Sequence, residues 1–210
     1  EYALERLEES GERSSTEVRF AVVCVGIAEA AGVLVLGPGG EASMRRLDRE
    51  DHNLRAAIDW ALANDAPGFG LQIVGSVWRW FQQRGRLREV RGLLAELLTR
   101  PSGGDVRIRI GGLAAEGGLA YWMNDFPAAR VAYEERLALA STTGDPVLMA
   151  DAHYDLGFLS MVAQEGELLR EHEQRALELY TAAGREDGAI RARQALVLAQ
   201  QQRPEVQRVL

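Results

Sequence analysis

The stretch WRWFQQRGRLREVRGLLAELL, residues 78–98, predicts a helical hairpin rather than a grip for nucleic acid. We expect Trp78 and Phe81 to lie on the buried face of a first helix, whereas Trp80 falls off that face. Gly85 stands where the chain turns, because glycine adopts a left-handed backbone without strain. Aromatic residues in a strand-binding groove would interleave with basic residues on one exposed face, and this spacing does not provide that arrangement.

Four arginines lie around this turn and on the solvent side of the second helix. They are Arg84, Arg86, Arg88 and Arg91. Glu89 and Glu96 are close enough in sequence to neutralise them, so we expect a solvated, charge-balanced surface. An electropositive contact for a partner domain or an acidic ligand is the alternative, and direct nucleic-acid binding is not expected.

Two later stretches, residues 117–137 and 157–177, repeat the pattern of residues 78–98. The three turns then fall at residues 85–87, 124–126 and 164–166, which are 39 and 40 residues apart. Matched offsets on the second helix hold Val90, Ala129 and Leu169, then Leu94, Tyr133 and Glu173, then Leu97, Arg136 and Ala176. Mostly small or apolar residues at the same offsets indicate a repeated helical hairpin of about forty residues.

The rest of the chain reads as helical almost throughout. We expect helices near residues 1–10, 16–34, 41–64, 68–83, 87–99, 106–123, 127–142, 146–163, 167–183 and 187–202. Strand evidence is confined to VRIRI at 106–110, and the spacing of apolar residues over the longer window favours a helix there. Asp105 and Asp145 are predicted N-caps, and Gly144 and Gly184 are predicted helix ends.

Composition and charge exclude several classes of protein. The 210 residues carry a net charge of −7, which opposes autonomous binding to nucleic acid. All 24 basic residues are arginine, so the lysines of P-loops, Schiff bases and kinases are missing. The single cysteine, Cys24, fits a reducing and therefore cytoplasmic compartment. The apolar run at 20–36 is too short for a membrane span and contains Glu29, so it predicts a buried helix.

Other candidate sites favour structural roles. His52, His153 and His172 lie on separate predicted helices, and no pair has the i, i+4 spacing of a helical zinc site. We expect EHE at 171–173 to be a solvated face and GPGG at 37–40 a turn. GGLAAEGGLA at 111–120 is expected to be a close contact between first helices, with a ligand pocket there as the minor alternative. No nucleophile, base and oxyanion donor are assembled, so we expect no catalysis, cofactor or metal in this chain.

The repeated hairpin resembles tetratricopeptide repeats, which have Leu-Gly and an aromatic residue on the first helix and a small-aromatic-small pattern on the second. HYDLGFLSMVAQEG supplies the first helix and NDFPAARVAYEERLALA the second. The residues expected to pack the repeats are Trp78, Phe81, Gly85, Leu94, Gly117, Phe126, Ala129, Tyr133, Leu156, Gly157 and Ala176. The units depart from the family in their length of about 40 rather than 34 residues, in Trp78 where glycine is usual, and in Leu169 and Glu173.

This resemblance implies an all-α fold, a right-handed superhelix of stacked antiparallel helical hairpins. The hairpins would occupy residues 67–104, 105–144 and 145–184 with a partial unit at 185–210, after a helical linker at 1–66. The first helices would line a concave surface able to hold a protein, a peptide or a small-molecule inducer.

A second resemblance covers residues 1–100 and is carried by EYALERLEESGE, GPGGEASMRRLDREDHNLRAAIDWALAND and VGSVWRWFQQRGRLREVRGLL. This region is similar to the part of bacterial signal-transducing ATPases with numerous domains (STAND proteins) that follows their nucleotide-binding and winged-helix parts. Those proteins include actinobacterial antibiotic-regulatory and LuxR-type regulators. The matching helix residues are Asp51, Asn53, Leu54, Arg55, Ala56, Ala57, Trp60 and Ala61, with His52 where the motif usually has aspartate.

The second resemblance implies a non-catalytic sensor module cut from a cytoplasmic ATPase regulator. ATP and Mg²⁺ are then expected only in an upstream domain, and DNA contacts only in another domain. Expected partners are the other domains of the same chain, a ligand on the concave face and a possible second copy, without nucleic acid or membrane. A structural scaffold or self-association module is the alternative, because a hairpin that begins near Asp187 stops in mid-unit and would leave apolar residues uncovered.

Overall fold

The computed structural model describes residues 11–35, 37–101 and 105–201, apart from the side chains of residues 200 and 201. All regular structure in these ranges is α-helical. The helices are α1 (Arg13–Gly32), α2 (Gly40–Ala63), α3 (Pro67–Gln83), α4 (Leu87–Leu98), α5 (Val106–Trp122), α6 (Phe126–Thr143), α7 (Pro146–Val162), α8 (Gly166–Ala182) and α9 (Glu186–Gln201). The predicted helix at 1–10 lies outside the described residues, and the other predicted helices are confirmed, including the one over 106–110.

The predicted helix boundaries follow from identifiable caps. The Asp145 carboxylate accepts hydrogen bonds from the backbone N–H groups of Val147 and Leu148, at 2.9 and 3.4 Å, with Pro146 in the first turn. Asp105 accepts from the N–H of Arg107 at 2.9 Å. These carboxylates satisfy backbone donors that have no partner within the helix.

Left-handed backbone recurs at the turns between helices. Positive φ angles between helices occur at Gly39, with 90°, and at Asp65, Gly85, Asn124, Gly144, Gln164 and Gly184, with values from 51° to 71°. Glycine and asparagine tolerate this conformation best, since a Cβ atom crowds the following carbonyl. Gly85, Asn124 and Gln164 stand in the three turns aligned from the sequence, so the backbone confirms the register of about forty residues.

The chain divides into two compact units between Trp122 and Met123. In the first unit, each of α1 to α4 packs on the helix that follows it, and α1 with α3 and α3 with α5 also make contact. In the second unit, α6 to α8 each pack on the next helix, and α7 contacts α9. The predicted boundary between linker and repeats, at residue 66, falls inside the first unit and stays a prediction.

The first unit has a core of aliphatic and aromatic side chains from all five of its helices. Phe81 and Leu94 are fully buried, as predicted, and so is the thiol of Cys24. Close helix contacts depend on glycine: a Cβ atom at Gly32 would lie 2.1 Å from the carbonyl oxygen of Ser76. None of the described helices has both the length and the apolar character needed to cross a membrane.

The two tryptophans of α3 are placed differently from the sequence expectation. Trp80, which we expected off the buried face, is 1% exposed, and its indole Nε1 donates to Asp48 Oδ1 at 2.9 Å. Trp78 is only half-buried, with its ring against the backbone of Gly118. The prediction for Trp80 was wrong because it considered one hairpin alone, whereas α2 packs on α3 and covers this side chain.

The matched offsets of the second helices are buried in all three repeats. The residues at these offsets are all buried: Val90, Ala129 and Leu169, then Leu94, Tyr133 and Glu173, then Leu97, Arg136 and Ala176. The register read from the sequence therefore selects core positions. It also places two ionisable residues, Arg136 and Glu173, inside the second unit, where the other described core residues are mainly alanine, with a few leucines and tyrosines.

Candidate functional site

The arginines at the Gly85 turn are bound by carboxylates of the same unit. Arg84 pairs with Asp48, and Arg86 pairs with both Asp51 and Glu89 at 3.0 Å. The hydrogen bonds from Arg84 and then Trp80 lower the pKa of Asp48 to about 2. The Arg86 guanidinium also lies over the rings of Trp80 and Phe81, at 5.1 and 4.6 Å from their centroids.

The remaining arginines of this cluster differ in environment. Arg91 pairs with Glu116 of α5 at 2.8 Å, whereas Arg88 is exposed. Glu96 pairs with Arg100 rather than with a turn arginine, so its predicted role was wrong. Because Arg84, Arg86 and Arg91 are paired within the unit, little unbalanced positive charge is left at the turn. A contact between these arginines and a partner stays a prediction, and the exposed Arg88 is the best candidate for it.

The residues of α2 that resemble the STAND motif, within 51–61, are called the linker motif here, and they contact α1, α3 and α4. Leu54 and Ala57 are fully buried, and Ala56 is half-buried. Arg55 pairs with Asp51 at 3.0 Å on its own helix and with Glu89 of α4 at 2.6 Å. This network joins the acidic start of the motif to the helix that follows the Gly85 turn.

The other end of the motif contacts the neighbouring helices. Trp60 donates its indole N–H to Glu17 of α1 at 3.1 Å and meets Phe69 of α3 edge-on, with ring centroids 5.7 Å apart. Asn53 is exposed and donates to Glu50 at 2.8 Å. The motif residues therefore hold α2 between α1 and α3, which is a packing role in this unit.

A cleft of about 360 Å³ follows the alternate helices α1, α3 and α5 of the first unit. Its lining consists of Glu29, Leu71, Gln72, Gly75, Ser76, Asp105, Arg107, Ile108 and Gly111. A Cβ atom at Gly75 would lie 3.3 Å from the carbonyl carbon of Gly111, so small residues bring the two backbones together at the floor. Glu29, Asp105 and Arg107 are exposed. The glycine stretch at 111–120 is predicted to serve helix packing, with a ligand pocket as the minor alternative, and Gly111 lines this cleft.

The second unit contains a buried polar network between α6, α7 and α8. Arg136 forms an ion pair with Asp155 and lies 3.9 Å from Asp151. The Tyr180 hydroxyl donates to Asp151 Oδ1. Burial, followed by this hydrogen bond to a carboxylate, raises the pKa of Tyr180 above its usual range. The ion pair with Asp155 offsets the charge of a guanidinium at a core position, although the buried Nε of Arg136 has no hydrogen-bond partner.

Glu173 lies beside this network and contradicts the expected solvated face at 171–173. Its side chain is 0% exposed, and neither carboxyl oxygen has a hydrogen-bond partner. Burial raises its pKa to about 8, reinforced by Asp155 and opposed by Arg191. The group is therefore mostly protonated at pH 7. The prediction was wrong because Glu173 occupies the offset of Leu94 and Tyr133, which the packing of repeats buries.

Two histidines meet across the hairpin of α7 and α8. The Nδ1 atoms of His153 and His172 are 3.0 Å apart, and both residues are half-buried. Burial is the main cause that lowers the pKa of both imidazoles, that of His153 to about 4. A search for i, i+4 pairs cannot find them, since they belong to different helices. The usable signal is their similar distance from the turn that joins α7 to α8.

No group of three or more His, Cys, Asp and Glu side chains is arranged to hold a metal ion in the part of the chain that the structure describes. No protein-family model matches the sequence, and no curated protein matches it significantly. The tetratricopeptide and STAND resemblances are therefore carried by the motif residues and the hairpin register alone.

Proposed function

We propose that the chain is a non-catalytic, tetratricopeptide-like sensor and interaction module of a cytoplasmic, multidomain STAND-type ATPase that regulates transcription. The observation that carries this proposal is the cleft along α1, α3 and α5, which alternate helices of packed hairpins form together. Such helices line the binding surface of helical-repeat proteins. ATP and Mg²⁺ belong to a domain upstream of this chain in the proposed regulator.

The cleft chemistry suits a protein segment, a peptide or a small polar inducer. Its glycine floor leaves backbone close to any occupant, and Gln72 and Ser76 offer polar side chains beside Leu71 and Ile108. Because the lining comes from three helices, an occupant would favour one spacing of α1, α3 and α5 over others. A ligand that binds one arrangement of the helices more tightly shifts the conformational equilibrium toward that arrangement. We propose that this shift is how binding in the cleft controls the ATPase domain.

The test compares a cleft variant with a matched surface variant in the full-length regulator. We expect Arg107→Glu to change ATP hydrolysis or operator binding, whereas Arg49→Glu, an equal charge reversal at an exposed residue of α2, leaves both unchanged. Deleting residues 68–210 should abolish the control of both activities. The proposal fails if ATP hydrolysis and operator binding are indifferent to that deletion.

Catalysis by the chain itself is tested separately. Incubating the 210-residue chain with labelled ATP should show neither binding nor turnover, because it lacks lysine and any P-loop. Turnover in this assay, retained after further purification, would make the chain an enzyme.

Self-association is the second candidate function, and exposed apolar residues on α9 favour it. Ile190, Val197 and Leu198 are 43%, 48% and 48% exposed and line one pocket, in which Arg193 and Gln194 lie between Ile190 and the other two. We propose a second copy of the chain as the occupant. Light scattering at high concentration should then show a dimer that Leu198→Arg dissociates and Val131→Arg, on an isolated exposed valine of α6, does not. A strict monomer at every concentration would exclude this function.

A further inference from the structure

We propose that the cleft along α1, α3 and α5 binds an extended basic segment of a partner protein, which places one large apolar side chain in an adjoining cavity. This inference rests on the proposed function of the cleft and names the class of its occupant. The chain itself carries a net charge of −7, so a complementary basic segment belongs to a separate protein rather than to a second copy.

A second cavity, of about 310 Å³, adjoins the cleft near the start of α3. Gln72 and Ile108 line both, so the two cavities are neighbours. The other lining residues of the second cavity are mostly apolar: Ala66, Pro67, Phe69 and Pro101, together with Asp65 and Gly68. A hollow of this composition fits the side chain of a leucine or an aromatic residue, whose burial contributes to binding.

The length of the combined groove fits a peptide in extended conformation. Along α3 the lining runs from Ala66 to Ser76, which is about 15 Å at the helical rise of about 1.5 Å per residue. An extended chain advances about 3.3 Å per residue, so about four or five residues cross the groove. The side-chain N–H of Gln72 donates to the carbonyl oxygen of Gly68 at 3.1 Å, which leaves the amide oxygen of Gln72 as an acceptor for a backbone N–H of the segment.

The charges of the cleft favour a basic occupant. Glu29 and Asp105 are exposed residues of its lining, and neither forms an ion pair within the described residues. Among the described residues that line the cleft, Arg107 is the one cation. In the second cavity Asp65 lies 3.9 Å from Arg100, so the surplus of acid comes from the cleft. A cationic side chain of the segment offsets this surplus.

Gly111 allows the cleft to be filled without disturbing the packing of the helices. A Cβ atom at Gly111 would have no packing neighbour within 4 Å, so open space lies over this glycine. Gly111→Leu therefore adds a side chain to the wall of the cleft, and leucine favours a helix interior more than glycine does. Gly92 on α4 is equally open and lies on the exposed surface outside the cleft, which makes Gly92→Leu the matched control.

The experiment titrates the ¹⁵N-labelled 210-residue chain with a synthetic probe and follows the backbone amides by NMR. The probe is an acetylated, amidated Gly-Ser peptide with one tryptophan and an arginine three residues away on each side, so that either chain direction can bind. This spacing follows from the rise of about 9 Å between Phe69 and Gly75 on α3, which about three extended residues span. We expect saturable shifts of the amide signals of Gly75, Ile108 and Gly111.

Variants of the probe and of the chain test each part of the proposal. Glutamate in place of both arginines of the probe should weaken binding about three- to tenfold, and serine in place of its tryptophan about tenfold. Gly111→Leu should remove the shifts, Gly92→Leu should retain them, and Glu29→Arg should reduce the preference for the arginine probe. Equal affinity for the arginine and glutamate probes, absence of binding, or binding that survives Gly111→Leu overturns the proposal.

A measurement on the full-length regulator separates this proposal from the proposed function on which it rests. Gly111→Leu should change ATP hydrolysis or operator binding whatever the occupant of the cleft is, whereas Gly92→Leu should change neither. If the arginine probe does not bind but Gly111→Leu alters either activity, the basic segment is wrong and the cleft keeps its proposed function. If the probe does not bind and both activities are unchanged, both proposals fail.

Discussion

The carboxyl group of Glu173 lies against the backbone of Gly157, where a Cβ atom at residue 157 would be 2.5 Å from Oε1. The glycine of the Leu-Gly pair on α7 thus makes room for a buried acid on α8. The contact therefore joins the Leu-Gly pair, which matches the tetratricopeptide pattern, to Glu173, which departs from that pattern.

Replacing Gly157 with alanine should destabilise the protein. The new Cβ would also be 2.9 Å from Cγ and Cδ of Glu173, and overpacking of this kind costs about 1–3 kcal/mol. Urea unfolding of Gly157→Ala measures the loss. In Gly166→Ala the new Cβ makes only an ordinary 3.6 Å contact with Arg170. This variant should leave the free energy of unfolding unchanged or raise it by up to about 1 kcal/mol. Equal stability of the two variants would contradict the close contact.

Glu173 should make the protein less stable as the pH rises. Its pKa of about 8 exceeds the ordinary 4.5, so the folded state holds a proton that the unfolded state has lost between these values. Its contribution to the free energy of unfolding is fully present below pH 4.5 and falls by up to about 1.4 kcal/mol per pH unit until pH 8.

Glu173→Gln should remove this dependence and be more stable than the wild type at pH 9, with similar stability at pH 5. Urea unfolding at pH 5, 7 and 9 checks it, with Glu167→Gln as an exposed control on the same helix. Parallel pH profiles for the wild type and Glu173→Gln would show that the acid is not buried as described.

Arg136 and Asp155 should be strongly coupled. The side chains are 9% and 28% exposed, so removing the guanidinium by Arg136→Leu leaves a largely buried carboxylate and should cost about 2–4 kcal/mol. Asp155→Asn in the same background should recover part of this loss. A double-mutant cycle from chemical denaturation gives the coupling energy, and additive effects would contradict a direct pair.

Arg86 should stabilise the fold, whereas Arg88 should not. Arg86 bridges Asp51 and Glu89 and covers two buried rings, so Arg86→Ala should lower the free energy of unfolding by about 1–2 kcal/mol. Arg88→Ala, at an exposed residue of α4, should change it by less than about 0.5 kcal/mol. Thermal and urea unfolding of the pair decides whether the arginines at this turn act in the fold or are all available to a partner.

Much of the fold could be predicted because it depends on local patterns. Apolar spacing, the caps at Asp105 and Asp145 and the turn residues at Gly85, Asn124 and Gln164 each act within a few residues of their own position. The same patterns gave the register of the hairpins, and the aligned offsets are buried throughout. The candidate site was predicted less well: the expected use of the first helices and the minor alternative of a ligand pocket at 111–120 pointed to the cleft, but not to its lining from α1, α3 and α5 together.

The sequence by itself determined the helices, their ends and the repeat of about forty residues, because backbone preferences and the period of apolar residues are properties of short segments. The tertiary structure alone decided which distant side chains meet: Trp80 with Asp48, Arg136 with Asp155, and His153 with His172. It also buried Glu173, whose charge argued for an exposed face. The physical reason is that a helix pattern shows which residues share a face, whereas contacts and burial depend on which neighbouring helix covers that face.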